Sequence, residues 1–422
     1  MLPIPREKSP DSTLAVLKDG YTFISKRCRR HNSDVFQTRL MLQKTLCLSG
    51  EAAATLFYDN TRFKRKGAAP HRLKETLLGR GGVQDLDGHT HRQRKALFMS
   101  LMTPESLTQL LDLVTAHWRA YIPRWEKMDR IVLFNEVSEI LCRAVCKWVG
   151  VPLKPSDVKR RTKEFVALIE GAGAVGVRHV QGRLVRNSAE GWIEALIQDI
   201  RDRKQNGPPG SPLQLIANHR ELNGELLNKH VAAVEVINLL RPTVAVARFI
   251  TFAALALHDH PECRPRLAAQ DDAYAELFAH EVRRFYPFFP FATARVRRDF
   301  DWQGYHLPKG TRTLLDLYGT DHDPRLWDAP ERFRPERFLT WDHSPFNFIP
   351  QGGGTHHAHH RCAGERITIE LIKLAATLLT TSMQYTVPPQ DLHFSLSQMP
   401  SIPKSRFILT NVHPTPQLTT NH

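Results

Sequence analysis

Phe348-Ile349-Pro350-Gln351-Gly352-Gly353-Gly354-Thr355-His356-His357-Ala358-His359-His360-Arg361-Cys362-Ala363-Gly364-Glu365 sets one cysteine in a glycine- and histidine-rich loop, just ahead of a helix that starts near Gly364. A thiolate at a helix N-terminus is stabilised by the dipole and by free amide groups. Glycines let the backbone approach a flat ligand closely. Phe346, Phe348 and Ile349 supply an apolar wall ahead of it. From this loop alone, three readings stay open: a small buried cysteine, a metal site built from His356, His357, His359 and His360, or a cofactor thiolate. Structural zinc draws its ligands in spaced pairs, whereas this is one compact tract.

Upstream, Glu281 and Arg284 stand three apart in a helical stretch and can pair on one face. Pro335-Glu336-Arg337-Phe338 follows, with an arginine able to join them. A lone Glu-x-x-Arg arises often by chance. The order Glu-x-x-Arg, Pro-Glu-Arg-Phe, cysteine loop is far more specific, and it resembles the cytochrome P-450 superfamily from about Phe36 to Val412. The resemblance implies a mainly α fold with small β-sheets. Haem b would lie between a long distal helix and a proximal helix preceded by the cysteine loop. Cys362 would be the axial iron ligand, whose electron push favours O–O cleavage. Glu281, Arg284 and Arg337 would form a structural network behind the haem. His360, the pair His91 and Lys95, and Arg65 would contact the propionates. Residues 1–412 would form a single haem-thiolate catalytic domain, and 413–422 a disordered tail.

The long helical stretch carries Val236-Ile237-Asn238-Leu239-Leu240-Arg241-Pro242-Thr243. No acid precedes Thr243 where most of the superfamily has one. An arginine sits there instead, and a buried unpaired guanidinium is costly without an anion. No Asp or Glu lies three or four residues to either side of it, so its own helix is expected to supply none. Pro242 frees the carbonyl of Asn238, which predicts a kink there. The Arg-Pro pair resembles the fatty-acid peroxygenase branch, as do Gln351–Gly354, Asp316–Thr320 and His322–Trp327. That resemblance implies a substrate carboxylate bound bidentately by Arg241. The carboxylate would act as the missing general acid–base toward hydrogen peroxide. Hydroxylation at the α or β carbon would follow, with oxidative decarboxylation to a terminal alkene as the competing exit. Arg241, Pro242 and Gln84 make the catalytic set. Gln84 falls where hydroxylating relatives have Gln and decarboxylating ones His, which favours hydroxylation. Arg241, Leu78, Phe288 and Phe289 make the substrate-binding set, with Pro290 and Phe291 beside them. His359, Thr355 and Ala363 depart from the family loop, and Phe289 replaces a residue often small. Two rival readings are a reductase-dependent monooxygenase and a non-catalytic haem and fatty-acid binding protein. Arg248, one helix repeat beyond Arg241, is a weaker rival for the carboxylate.

Composition fits this picture. The chain has 422 residues, 41% hydrophobic and 24% charged, with net charge +15. Its basic runs are short and lack interleaved aromatics, which disfavours nucleic acid. Six sparse cysteines without a CxxC pair argue against a disulfide framework. The N-terminus has charges and prolines where a signal peptide needs an apolar run. Val231–Leu257 is interrupted by Glu235, Asn238, Arg241, Pro242 and Arg248, so it reads as a buried helix and not as a membrane span. A soluble cytoplasmic enzyme needing fatty acid and hydrogen peroxide, but no redox partner protein, is the expectation. Strand is expected over 35–48, helix over 104–150, about 184–204, 225–258 and 274–286, and a breaker at Asn206–Gly210.

Overall fold

The computed structural model describes residues 2–171, 177–204 and 208–415. Its helical body contains α1 (Gly88–Ser100), α2 (Pro104–Trp125), α3 (Leu133–Val149), α4 (Val158–Glu170), α5 (Val177–Arg201), α6 (Lys229–Ala245), α7 (Ala247–Asp259), α8 (Asp272–Phe285) and α9 (Glu365–Thr381). The strands that matter here are β1 (Val35–Leu40), β2 (Gln43–Leu48), β3 (Phe63–Lys64), β4 (Ile131–Val132), β5 (Phe291–Val296), β6 (Arg312–Asp316), β7 (Met383–Thr386) and β8 (Ile408–Pro414). One sheet runs β1-β2-β6-β5-β3 and a second β4-β8-β7. The mainly α fold with small sheets is therefore as read from the sequence.

Local rules account for several starts. Thr103 caps α2 by accepting from the Ser106 amide, with Pro104 in the first turn. Asp271 caps α8 through the Tyr274 amide. From Ala232 to Ala245, α6 is buried at every residue but Pro242. A helix apolar on nearly all sides belongs in a core. The stretch Lys229–Asp259 is long and apolar enough to cross a membrane, yet its most apolar 18 residues are 94% buried.

Five expectations shift. The helix expected over 104–150 is two, α2 and α3, with β4 between them. The single strand over 35–48 is a hairpin, because Met41 and Leu42 take φ of 51° and 60°. Neither residue type advertises such a turn. The helix break falls at Val246, one turn past Pro242, where the Val246 amide bonds Thr243 O at 3.2 Å. The third helix starts at Val177, earlier than 184, and Asn206 and Gly207 of the breaker lie outside the described residues. His413 and Pro414 continue β8, paired with Gln384 and Met383, so the ordered body passes 412; residues 416–422 lie outside the described residues.

These elements bring two walls together. α1 lies between them: Lys95 reaches Arg361 O beside Cys362, while its neighbour Arg94 reaches Glu235 on α6 at 2.8 Å. The core formed by α2, α3 and α6–α9 fixes both walls.

Candidate active site

On the proximal side, the Cys362 amide bonds Gln351 O at 3.1 Å, closing the loop on itself. Gln351 is held in turn by Arg283 and Thr368. Burial pushes the Cys362 thiol up; Lys95, the Gly364 amide and Arg283 pull the other way. Gly354 has φ of 81° and stacks so close on His359 that an added Cβ would meet its ring at 2.7 Å. His359 Nδ1 accepts from the Thr355 amide at 2.9 Å. The departure at His359 thus braces the loop turn and fills the space under Gly354. The zinc reading falls here, because the histidines face different partners. His356 meets Glu365 and His360 meets Leu86 O, each at 2.9 Å. Among the described residues no three metal-ligating side chains converge.

Four basic groups cluster beside the loop. The His91 and His360 rings stack at 3.9 Å. Burial and then Lys95 push His91 down to about 4, and burial with Arg65 pushes His360 well below its usual range. Buried Arg65 is lowered to about 10 by desolvation. Asp87 stands near, but its oxygens accept from the amides of Arg65 and Lys66 at 2.8 and 3.0 Å. His360 Nδ1 is buried without a partner among the described residues. Two basic side chains, Arg65 and Lys95, set with two neutral imidazoles in a dry place suit a ligand bearing carboxylates. A thiolate faced by such a cluster fits a haem with its two propionates.

On the distal side, Arg241 is 5% exposed. Its Nη2 donates to Asn238 Oδ1 at 3.2 Å, and its Nε has no partner among the described residues. Burial first, then the charge of Arg186, push this guanidinium down to about 9; the Cys362 thiolate pulls it back up. It stays charged at neutral pH, in a place that favours an arriving anion. Asn238 Nδ2 donates to Glu235 Oε2 at 2.9 Å and to Gln84 Oε1 at 3.3 Å. As expected, Arg241 meets no acid of its own helix among the described residues: Glu235, six residues back, touches Asn238 and not Arg241. Spacings of three, 235 to 238 to 241, carried the signal of this chain of contacts. The partner Arg94 lies on another helix and left no local trace. Rival Arg248 meets the acid Glu170 through Nη2 at 3.3 Å, with Nε and Nη1 unpartnered among the described residues.

Beyond Arg241, Leu77, Ile169 and Ala245 form an apolar cluster with Leu73, Leu78 and Phe288 against it. Phe288 stacks on Phe249 at 4.3 Å. Phe289 does not join this cluster. It is 44% exposed, with its ring edge-on to Phe288 at 4.8 Å.

The comparisons agree with this geometry. The family model for cytochrome P450 matches residues 268–409. Cytochrome P450SP alpha (CYP152B1), solved in complex with (R)-ibuprophen, is 49% identical over 96% of this chain and 99% of its own, with a TM-score of 0.94. Wild-type cytochrome P450EX alpha (CYP152N1), solved with myristic acid, is 45% identical over 98% of this chain and 100% of its own, TM-score 0.95. A variant of cytochrome P450 OleT, solved with arachidonic acid, is 36% identical over 98% and 99%, TM-score 0.95. The chain belongs to the cytochrome P450 superfamily and is a haem b oxidoreductase. Within it, the chain falls in the fatty-acid peroxygenase branch, the enzymes that use hydrogen peroxide as oxidant.

Proposed function

We propose that this enzyme hydroxylates fatty acids at the α or β carbon with hydrogen peroxide, and that Arg241 binds the substrate carboxylate, which then serves as general acid–base. The observation that carries this is the buried Arg241 guanidinium, with Nε unpartnered and only an amide oxygen on Nη2. Cys362, Arg65, His91, Lys95 and His360 would hold the haem. Bound there, the thiolate-ligated haem supplies peroxide O–O cleavage and oxygen transfer.

The chain's own residues do the rest. Arg241 presents its free edge to a carboxylate and fixes it as a planar fork does. Pro242 leaves the Asn238 carbonyl without its helical donor, loosening the backbone where the ligand enters. The anchored carboxylate accepts a proton from peroxide and returns it, replacing the acid that this helix lacks before Thr243. Leu78 and Phe288 exclude water along the acyl chain. Because the carboxylate is fixed, the carbons next to it are the ones offered for oxidation. Gln84, a neutral amide, adds no titrating group near pH 7. Two relatives solved with myristic and arachidonic acid support a fatty-acid substrate. No redox partner protein enters this scheme, and a cytoplasmic setting fits it.

The test mixes haem-loaded protein with tetradecanoic acid and hydrogen peroxide, without reductase or NADPH, and identifies products by mass spectrometry. Abundant 2- or 3-hydroxy acid supports the proposal. A terminal alkene keeps the role of Arg241 but overturns hydroxylation as the main exit. No product across several chain lengths, with haem intact, sinks it.

A further inference from the structure

We infer that Glu235 is a positioning residue for the reaction: its carboxylate, held by Arg94, fixes the amide of Asn238 so that only an oxygen faces Arg241. This deepens the reading of Arg241 as carboxylate anchor and rests on it. The argument is one of donor and acceptor polarity. A guanidinium only donates and a carboxylate only accepts. Arg94 donates from Nη1 to Glu235 Oε1 at 2.8 Å and from Nη2 to Glu221 at 3.0 Å. Glu235, fully buried, accepts from Asn238 Nδ2 at 2.9 Å with its other oxygen. Gln84 Oε1 accepts from the same nitrogen at 3.3 Å. Two acceptors therefore claim the Asn238 NH2 group, and its oxygen must turn to Arg241 Nη2, 3.2 Å away. The flipped amide would set oxygen against carboxylate and NH2 against guanidinium, so orientation is decided by chemistry and not by fit.

The choice of asparagine has a second consequence. An aspartate at 238 would neutralise Arg241 and compete with the substrate. The amide passes on the polarity of Glu235 without its charge. Arg241 is thereby braced on one edge, while Nε stays unpartnered. Arg186 is a second buried cation whose charge acts on Arg241. Its Nε is tied to Glu190 at 2.5 Å and its Nη1 to Leu77 O at 3.0 Å, while its Nη2 has no partner among the described residues.

Glu235→Gln reverses the chain. Gln must turn its oxygen to Arg94, which leaves its NH2 toward Asn238. Asn238 then flips and presents NH2 to Arg241. Tetradecanoate binding to haem-loaded protein, read by calorimetry, is expected to weaken about tenfold, the loss of one charge-assisted hydrogen bond. The α to β product split per haem should change with it. Glu235→Asp keeps acceptor polarity and is expected to stay within about threefold of wild type. On an Asn238→Ala background the Glu235→Gln effect should vanish, as a coupling routed through that amide requires.

Wild-type binding and product split in Glu235→Gln would overturn the inference. So would a full Gln effect surviving on Asn238→Ala, or equal losses in Asp and Gln. Should Glu235→Gln fail to take up haem, Glu235→Asp against Glu235→Asn reads the same polarity on a shorter side chain. Aspartate should preserve binding, asparagine should weaken it, and equal results sink the idea. Failure of wild type to bind tetradecanoate sinks the anchor itself. Wild-type binding with an unaffected Glu235→Gln sinks only the positioning role.

Discussion

Two buried arginine clusters in this molecule look alike in sequence and differ in what they leave undone. Around Glu281, every guanidinium nitrogen is matched. Arg284 Nε and Nη2 grip the carboxylate at 2.7 and 2.8 Å, and Nη1 reaches Asp321 O at 2.9 Å. Arg337 adds a third contact at 3.1 Å and spends its other nitrogens on Asp328 O and Arg332 O. Around Arg241, one nitrogen meets an amide oxygen and Nε meets nothing. A closed cluster has repaid its desolvation and has no capacity for a ligand. An open one holds a charge whose partner must come from outside. Unmatched nitrogens also occur on Arg186 and Arg248, but each of those pairs with an acid, whereas Arg241 meets none among the described residues.

The largest effect should come from breaking the closed cluster. Arg284→Ala takes the two-pronged grip from Glu281, which is 0% exposed, and leaves it Arg337 as its one cation among the described residues. It should cost about 3–5 kcal/mol of stability, measured by urea unfolding of the haem-loaded protein. Stability within error of wild type would mean that the cluster is not closed. Arg241→Met tests the opposite member. Removing a cation that lacks its anion should leave Tm unchanged or higher. Yet kcat/KM for tetradecanoate should fall about 100-fold or more, because a bidentate anchor and its alignment are lost. A large drop in Tm without that kinetic loss would reclassify Arg241 as scaffold.

How much of this contrast the sequence carried depends on range. Glu281 with Arg284, and 235, 238 and 241 in threes, sit on single helices, so helical geometry alone brings each set together. The capping at Thr103 and Asp271 was equally local. Arg94 and Arg186 were invisible, because only tertiary packing brings α1 and α5 against α6. Asn238 was read as a freed carbonyl, when its side chain is the junction. Met41 and Leu42 hid a turn because neither favours the left-handed region they adopt. Phe289 lies edge-on to Phe288 at 4.8 Å but is 44% exposed, and adjacency in sequence does not show how deeply each ring is buried.

Asp316 sharpens the comparison from an intermediate case. Its Oδ1 accepts from the Gly319 amide at 2.8 Å, while Oδ2 is buried without a hydrogen-bond partner among the described residues. Burial raises its carboxyl to about 7. A raised folded-state pKa means that the acid favours folding only while protonated. Relative to an unfolded value near 3.9, stability is unaffected below about pH 4, falls as pH rises toward 7, and is flat above. Asp316→Asn keeps the acceptor for Gly319 and removes the charge. It should stabilise by roughly 2 kcal/mol at pH 8 and by nothing at pH 4. An equal effect at both pH values would show that Asp316 is ionised and partnered throughout, and so belongs with the closed cluster.

The smallest expected effect tests what keeps the open cluster open. Asn238, which meets Arg241 on this edge, and Gln84, joined to Asn238 at 3.3 Å, are neutral amides. Neither competes with the substrate for the guanidinium, and neither brings a proton that titrates near neutral pH. Gln84→His replaces one of them with a group that does. The imidazole offers a second donor to the carboxylate and gains charge below about pH 6.5, or lower still beside Arg241 and Arg186. A second cation drawing on the carboxylate shifts which bond beside it is presented for oxidation. The share of terminal alkene over hydroxy acid should rise about two- to fivefold, on the order of 1 kcal/mol. It should rise more at pH 6 than at pH 8, whereas the wild-type split should be flat over that range. Gas chromatography of products from tetradecanoate at the two pH values reads both. A Gln84→His enzyme with the wild-type split at pH 6 would mean that position 84 does not face the carboxylate. The openness of the site would then rest on Asn238 alone.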